Sequence, residues 1–209
     1  MARATISPIL QDAVDRRLNI VGLTVDQYDS LIESGKLPED PGTELIDGFI
    51  VEKDRSAVGE DSLTIGDRHR TAVLALVDLN PEFKRAGCFI QSQQPIWIPP
   101  KSEPEPDLSV VAGAFDDYKQ SKPVGKQILS VIEVADSSLP RDLGSKLSMY
   151  ARAKVPEYIV VNLVDDVVLV HHNPARGKYP AHKIFRRGDK LAISAGNGRR
   201  VEIEVTNLL

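Results

Sequence analysis

Asp107, Glu133 and Lys146 lie far apart in the chain, yet they are the residue types that phosphodiester cleavage needs in one place. Asp107 follows a proline in Glu105-Pro-Asp-Leu-Ser-Val-Val111, and Glu133 interrupts the apolar run Ile128-Leu-Ser-Val-Ile-Glu-Val134. Lys146 sits in Arg141-Asp-Leu-Gly-Ser-Lys-Leu-Ser-Met-Tyr150, which reads as a helix. A carboxylate in a strand that reads as buried needs a partner, because desolvating a lone charge is expensive. If the three side chains converge, the two carboxylates can hold a divalent cation and the lysine can act on a water. Metal-assisted hydrolysis of a phosphodiester uses that arrangement. Read singly, each residue has a plainer account. Asp107 is then a turn residue at a strand edge, and Glu133 is half of a structural ion pair. Lys146, four residues after Asp142, forms a helix-surface pair worth about 0.2–0.5 kcal/mol.

The intervening sequence sets out elements able to bring these residues together. Thr24-Val-Asp-Gln27 has capping-box spacing and predicts a short helix to about Gly35. Lys36 to Gly42 is a turn-rich link, and residues 52–67 read as a loop. Asp47-Gly48 predicts a hairpin within Glu44–Val51. Helical spacing runs from His69 to about Phe83, and strands are expected over Cys88–Ile98, Asp107–Ala112 and Ile128–Ala135. The helix bearing Lys146 presents Leu143, Leu147 and Ala151 on one face and ends at Lys154-Val-Pro156. A second hairpin is expected around Asp165-Asp166. Strands over His182–Arg186, Leu191–Ser194 and Arg200–Val205 follow, with a turn at Asn197-Gly198. This order predicts an α/β fold with a mixed central sheet.

The 209 residues suit one domain, read here as 23–209 with residues 1–22 as an N-terminal arm. A 42% hydrophobic share supports a core. The formal charge of −4 argues against a nucleic-acid binder that uses its whole surface. A local groove stays open, since a bound metal would reverse the sign of the site. Cys88 is the single cysteine, so no intrachain disulfide forms. No signal-peptide pattern and no bilayer-length apolar stretch is evident, so a soluble cytoplasmic protein without membrane contact is expected.

The motifs in order resemble the PD-(D/E)XK nuclease superfamily and, within it, the Uma-type restriction endonucleases. The strings that carry the resemblance are Glu44-Leu-Ile-Asp-Gly48, His69, Gln93-Gln-Pro-Ile96, Pro106-Asp-Leu108 and Ile132-Glu-Val-Ala-Asp-Ser-Ser-Leu139. They continue with Arg141-Asp142, Lys146, Tyr150 and Val155-Pro-Glu-Tyr158. Each is weak alone; their shared order and spacing are specific. The resemblance implies a restriction-endonuclease-like core of helix, three strands, helix and strand, with the acids on the second and third strands and hairpins added around them. It implies a DNA endonuclease using Mg²⁺, with Mn²⁺ possible. Asp107 and Glu133 would be metal ligands, the Val134 carbonyl a third, and Lys146 the group that polarises the attacking water. The chain departs from the wider superfamily at Ala135, where a lysine usually follows the glutamate by two residues; Lys146 takes that place from the next helix. It departs again at Lys154, where relatives often carry glycine.

Glu44 and His69 complete the candidate set, Glu44 lining the metal site and His69 touching phosphate or the reacting water. Gln93 reads as a central-strand residue that could bind the ground-state water or the backbone. Tyr150 reads as core packing or a brace for Lys146, and Asp136 and Asp142 read as caps. His171-His172 cannot share one ion from a single strand face. The competing expectation is a catalytically silent nuclease-like module that binds nucleic acid or protein. DNA is the expected partner, and a two-fold homodimer the expected assembly.

Overall fold

The computed structural model describes residues 13, 15, 18–37, 42–52 and 66–209. The expected arm over 1–22 and loop over 52–67 fall mostly outside these residues, as does part of the 36–42 link.

Helix α1 (Val25–Glu33) opens with the expected capping box: Thr24 Oγ1 accepts from the Gln27 amide at 3.3 Å, and Gln27 Oε1 accepts from the Thr24 amide at 3.0 Å. Strands β1 (Thr43–Ile46) and β2 (Phe49–Glu52) form the first hairpin. Asp47 and Gly48 both take positive φ, 51° and 87°, as a tight two-residue turn requires.

The single helix expected from His69 to Phe83 is two, α2 (Asp67–Val77) and α3 (Asn80–Arg85). Pro81 has no amide hydrogen to continue the first helix but suits the opening turn of a second. Strand β3 (Cys88–Ser92) is shorter than expected. Gln93 turns the chain with a left-handed φ of 50°, and Trp97 and Ile98 make only isolated bridges. Strands β4 (Leu108–Ala112) and β5 (Ile128–Ala135) follow.

Helix α4 spans residues 139–152. It begins as one α-turn (Leu139–Arg141), widens to π geometry over Asp142–Lys146, and finishes as α-helix over Leu147–Arg152. It ends in a Schellman motif, in which the amides of Val155 and Lys154 donate to the carbonyls of Tyr150 and Ala151 at 3.1 and 3.2 Å. Lys154 takes the left-handed position with φ 59°, where glycine would be free of a cost of about 1–2 kcal/mol.

Strands β6 (Glu157–Asn162), β7 (Val167–His172), β8 (His182–Phe185), β9 (Lys190–Ser194) and β10 (Arg200–Glu204) complete the chain. The central sheet has the order β3-β4-β5-β6-β7-β8, while β1-β2 and β9-β10 stand as separate pairs. β5 and β6 run parallel, joined by the crossover through α4; the other pairs in the sheet are antiparallel.

Alternation along the strands sends side chains into two cores. Ile132, Val134, Ile159 and Val161 pack under α2, α3 and the β9-β10 pair. Val131, Ala135, Tyr158 and Val160 pack under α4 with Ile46 of β1. Helix, three strands, helix and strand therefore appear in the expected order, with a mixed sheet between two layers.

His171 is buried on β7 beside His182 and stacks with Tyr158, their centroids 6.0 Å apart. Burial, with the His182 and His172 imidazoles, pushes His171 down to about 4. An unfolded histidine protonates near pH 6.5, so this group's contribution is complete above that pH and fades as the pH falls through 4. Urea unfolding should show wild type losing about 2 kcal/mol more than His171→Phe between pH 7 and pH 5. Equal losses would contradict a neutral buried imidazole.

Candidate active site

Glu133 shares a face of β5 with Val131 and Ala135, the face that α4 covers. Leu108 of β4 pairs with Ile132, so Asp107, just before β4, falls opposite Glu133. Each acid touches the other's backbone. The Asp107 amide donates to Glu133 Oε2 at 3.4 Å, and the Val134 amide donates to Asp107 Oδ2 at 2.8 Å. A strand residue directs its N–H and C=O to the same side, so the Val134 carbonyl also faces Asp107.

The π-helical turn of α4 brings residues four apart nearly in line, and it turns both Asp142 and Lys146 inward. Lys146 Nζ lies 2.9 Å from Glu133 Oε1 and 3.2 Å from Glu44 Oε1. One turn on, Tyr150 OH donates to the same Glu133 oxygen at 3.1 Å. Glu133, Glu44 and Lys146 are only 4%, 0% and 2% exposed.

Glu44 reaches this pocket from β1 and accepts from the Glu105 amide at 3.1 Å. His69 comes from the first turn of α2, with Nε2 3.1 Å from Asp107 Oδ2. Asp142 is buried, its Oδ2 accepting from Ser138 Oγ at 2.6 Å and its backbone carbonyl from Tyr158 OH at 3.1 Å.

All five predicted side chains, Asp107, Glu133, Lys146, Glu44 and His69, therefore meet in one place. Two further residues, Asp142 and Gln93, differ from their expected places. Asp142, expected as a cap, is a buried acid of the pocket beside Glu44 and Glu133, with Asp107 partly exposed; its signal was its place one turn before an inward-facing lysine. Tyr150 packs in the core as expected, and its OH braces Glu133 rather than Lys146. Gln93 lies beyond the end of β3 rather than in the central strand. His171 and His172 do point apart: His171 stacks on Tyr158, and His172 Nδ1 lies 3.3 Å from Glu157 Oε2.

Four carboxylates crowd around one ammonium group, and the electrostatics follow. Burial, reinforced by Asp142, Asp107 and Glu44 against the pull of Lys146, pushes Glu133 up to about 8. Burial also raises Asp142. Lys146 would be lowered by burial, but Glu133, Glu44 and Asp142 hold it above its ordinary value and keep it charged. Burial would raise Asp107, yet the hydrogen bond and charge of His69 bring it below the usual carboxylate value. His69 is raised in return: burial opposes its charge, and Asp107 more than offsets that.

Among the described residues, no group of three or more His, Cys, Asp or Glu side chains is placed to hold a metal ion. The available donors are fewer and harder: Asp107 Oδ1 and Glu133 Oε2, which no strong protein hydrogen bond among the described residues occupies, and the Val134 carbonyl. An all-oxygen set of this size suits an ion that keeps most of its waters.

Opposed acids at the ends of the second and third core strands, with a lysine from the following helix, define a restriction-endonuclease-like fold. The chain belongs to the Uma2 family, described as "Putative restriction endonuclease", whose profile matches residues 25–205. Its fold is similar to the crystal structure of a putative nuclease belonging to DUF820 from Anabaena variabilis ATCC 29413. The TM-score is 0.62 at 14% identity, over 89% of this chain and 97% of that one. No curated protein matches the chain.

In the absence of divalent cations, the crowding of acids makes the ionised form of Glu133 a burden on the fold. The unfolded chain releases this proton near pH 4.3, whereas the folded one holds it to about 8, so stability declines as the pH climbs between the two. Glu133→Gln keeps an acceptor for Lys146 and Tyr150 without the charge. At pH 8 in EDTA it should resist urea better than wild type by about 1 kcal/mol or more. A less stable variant would contradict the electrostatic account.

Proposed function

We propose that the protein is a metal-dependent endonuclease that hydrolyses phosphodiester bonds in DNA. The convergence of Asp107, Glu133 and Lys146 carries this reading. Asp107, Glu133 and the Val134 carbonyl would hold Mg²⁺, with Mn²⁺ able to replace it. Their oxygens are hard donors, and the acids around them exceed the cations that the chain supplies. When bound, the ion supplies charge neutralisation at the phosphate and eases ionisation of water.

The remaining work falls to the chain's own groups. Lys146 presents a permanent ammonium charge beside Glu133, where it orients the attacking water and offsets negative charge growing on the phosphoryl oxygens. Glu44 steadies that ammonium with a second carboxylate, and Tyr150 fixes the Glu133 rotamer. His69 acts as a positioning residue. Its Nε2 is committed to Asp107 and its Nδ1 is buried, which favours orienting the acid over touching phosphate.

One observation favours a catalytically silent module instead: Lys146 and Tyr150 both occupy Glu133 Oε1, as in a closed structural ion pair. Nicking of supercoiled plasmid with Mg²⁺ separates the readings. Wild type should cut, and Asp107→Ala should be slower by about 100-fold or more. Equal rates, or an inactive wild type that fails to bind Mn²⁺ in the presence of DNA, would remove the catalytic reading.

A further inference from the structure

We propose that Arg68 and Arg187, gathered on Asp166, anchor a backbone phosphate of the DNA strand that enters the active site. This rests on the endonuclease reading and extends it to how the substrate is held. Arg68 is the chain neighbour of His69, so the first turn of α2 sends one side chain to Asp107 and the next to the rim. Its Nη1 donates to the Leu163 carbonyl at 3.0 Å. The Leu163 amide in turn donates to the Ala135 carbonyl at 2.9 Å, and Ala135 ends β5 two residues beyond Glu133. The guanidinium is thus fixed to the acids from two directions, through α2 and through the ends of β5 and β6.

Arg68 Nη2 also pairs with Asp166 Oδ1, and Arg187 Nη2 lies 3.7 Å from the same oxygen while donating to the Leu209 carbonyl. Asp166 holds a left-handed φ of 52° in the turn between β6 and β7. Asn162 fastens that turn, its Oδ1 accepting from the amides of Val164 and Asp165, both at 3.0 Å.

Two guanidinium groups share the Asp166 carboxylate beyond the ends of β5 and β6, the sheet end that carries the acidic site. Asp165 Oδ2 accepts from Asn162 Nδ2 at 2.8 Å and Asp189 Oδ2 from the Arg186 amide at 2.7 Å, so both keep their charge but bond neutral donors rather than the two guanidiniums. Arg68, Arg187 and Asp166 are 52%, 50% and 54% exposed, so a phosphate can reach the pair. An exposed ion pair of this kind is weak and easily exchanged. The planar guanidinium fork then matches two phosphate oxygens.

Fluorescence anisotropy with a short labelled DNA duplex in EDTA, repeated across a salt series, tests the anchor. Arg68→Gln and Arg187→Gln should each weaken binding about 3- to 10-fold and reduce the slope of log K against log salt by about 1. Asp166→Asn should tighten binding, a gain that a folding defect cannot imitate. If wild type cuts DNA while the arginine variants bind with its affinity and slope, the anchor alone is wrong. If wild type neither binds nor cuts, the endonuclease reading falls and takes the anchor with it.

Discussion

The structure turns on the need to accommodate one carboxylate, Glu133, in the middle of a hydrophobic layer. Val131 and Ala135 flank it on the same face of β5, and Tyr150 of α4 reaches it from above the sheet. A lone ionised carboxylate there would cost several kcal/mol. The surrounding elements answer that cost with donors. α4 supplies Lys146 and Tyr150, and the chain entering β4 supplies the Asp107 amide. The β1-β2 hairpin, outside the main sheet, is drawn in through the Glu44 contact with Lys146. The π-helical turn fits the same demand, because it aims Asp142 and Lys146 into the layer together.

The answer is incomplete on charge, and that incompleteness is the functional signal. Structural ion pairs in a core tend towards balance, since unpaired buried charge is strongly destabilising. Here the acids Glu44, Asp107, Glu133 and Asp142 outnumber Lys146, and Arg141 beside Asp142 and a protonated His69 narrow the gap. A fold that tolerates such an excess gives up stability, as sites that bind cations commonly do. The oxygens of Asp107 and Glu133, at adjoining ends of β4 and β5, are those the proposed divalent ion would use.

Much of this was legible in the sequence because strong local signals agreed. Asp47-Gly48, Asn197-Gly198 and the Thr24–Gln27 box marked turns and a cap that formed as expected. β5 matched its expected bounds because a run that is apolar but for Ser130 and Glu133 suits one buried strand. The five candidate side chains were identifiable since a charge inside an apolar run, or repeated family strings around it, stands out. Other features depend on tertiary contact. Asp142 resembles any helix-start acid until Tyr158 of a later strand fixes the turn that buries it. The division of the 69–83 helix was written in Pro81 but masked by apolar spacing that continues across it. Gln93 looked like part of a strand because nothing local marks a left-handed, non-glycine turn.

The proposed site would let an acidic protein address a polyanion. Attraction need not come from the whole surface when a cation and a fixed lysine lie at the point of reaction. The central claim is that Asp107 and Glu133 jointly bind that cation. Anomalous diffraction from a crystal soaked in Mn²⁺ measures this directly. The account predicts a peak about 2.0–2.3 Å from a carboxylate oxygen of each acid, with the Val134 carbonyl alongside. A peak elsewhere, or none at saturating Mn²⁺ with Lys146 still closed on Glu133, would contradict it.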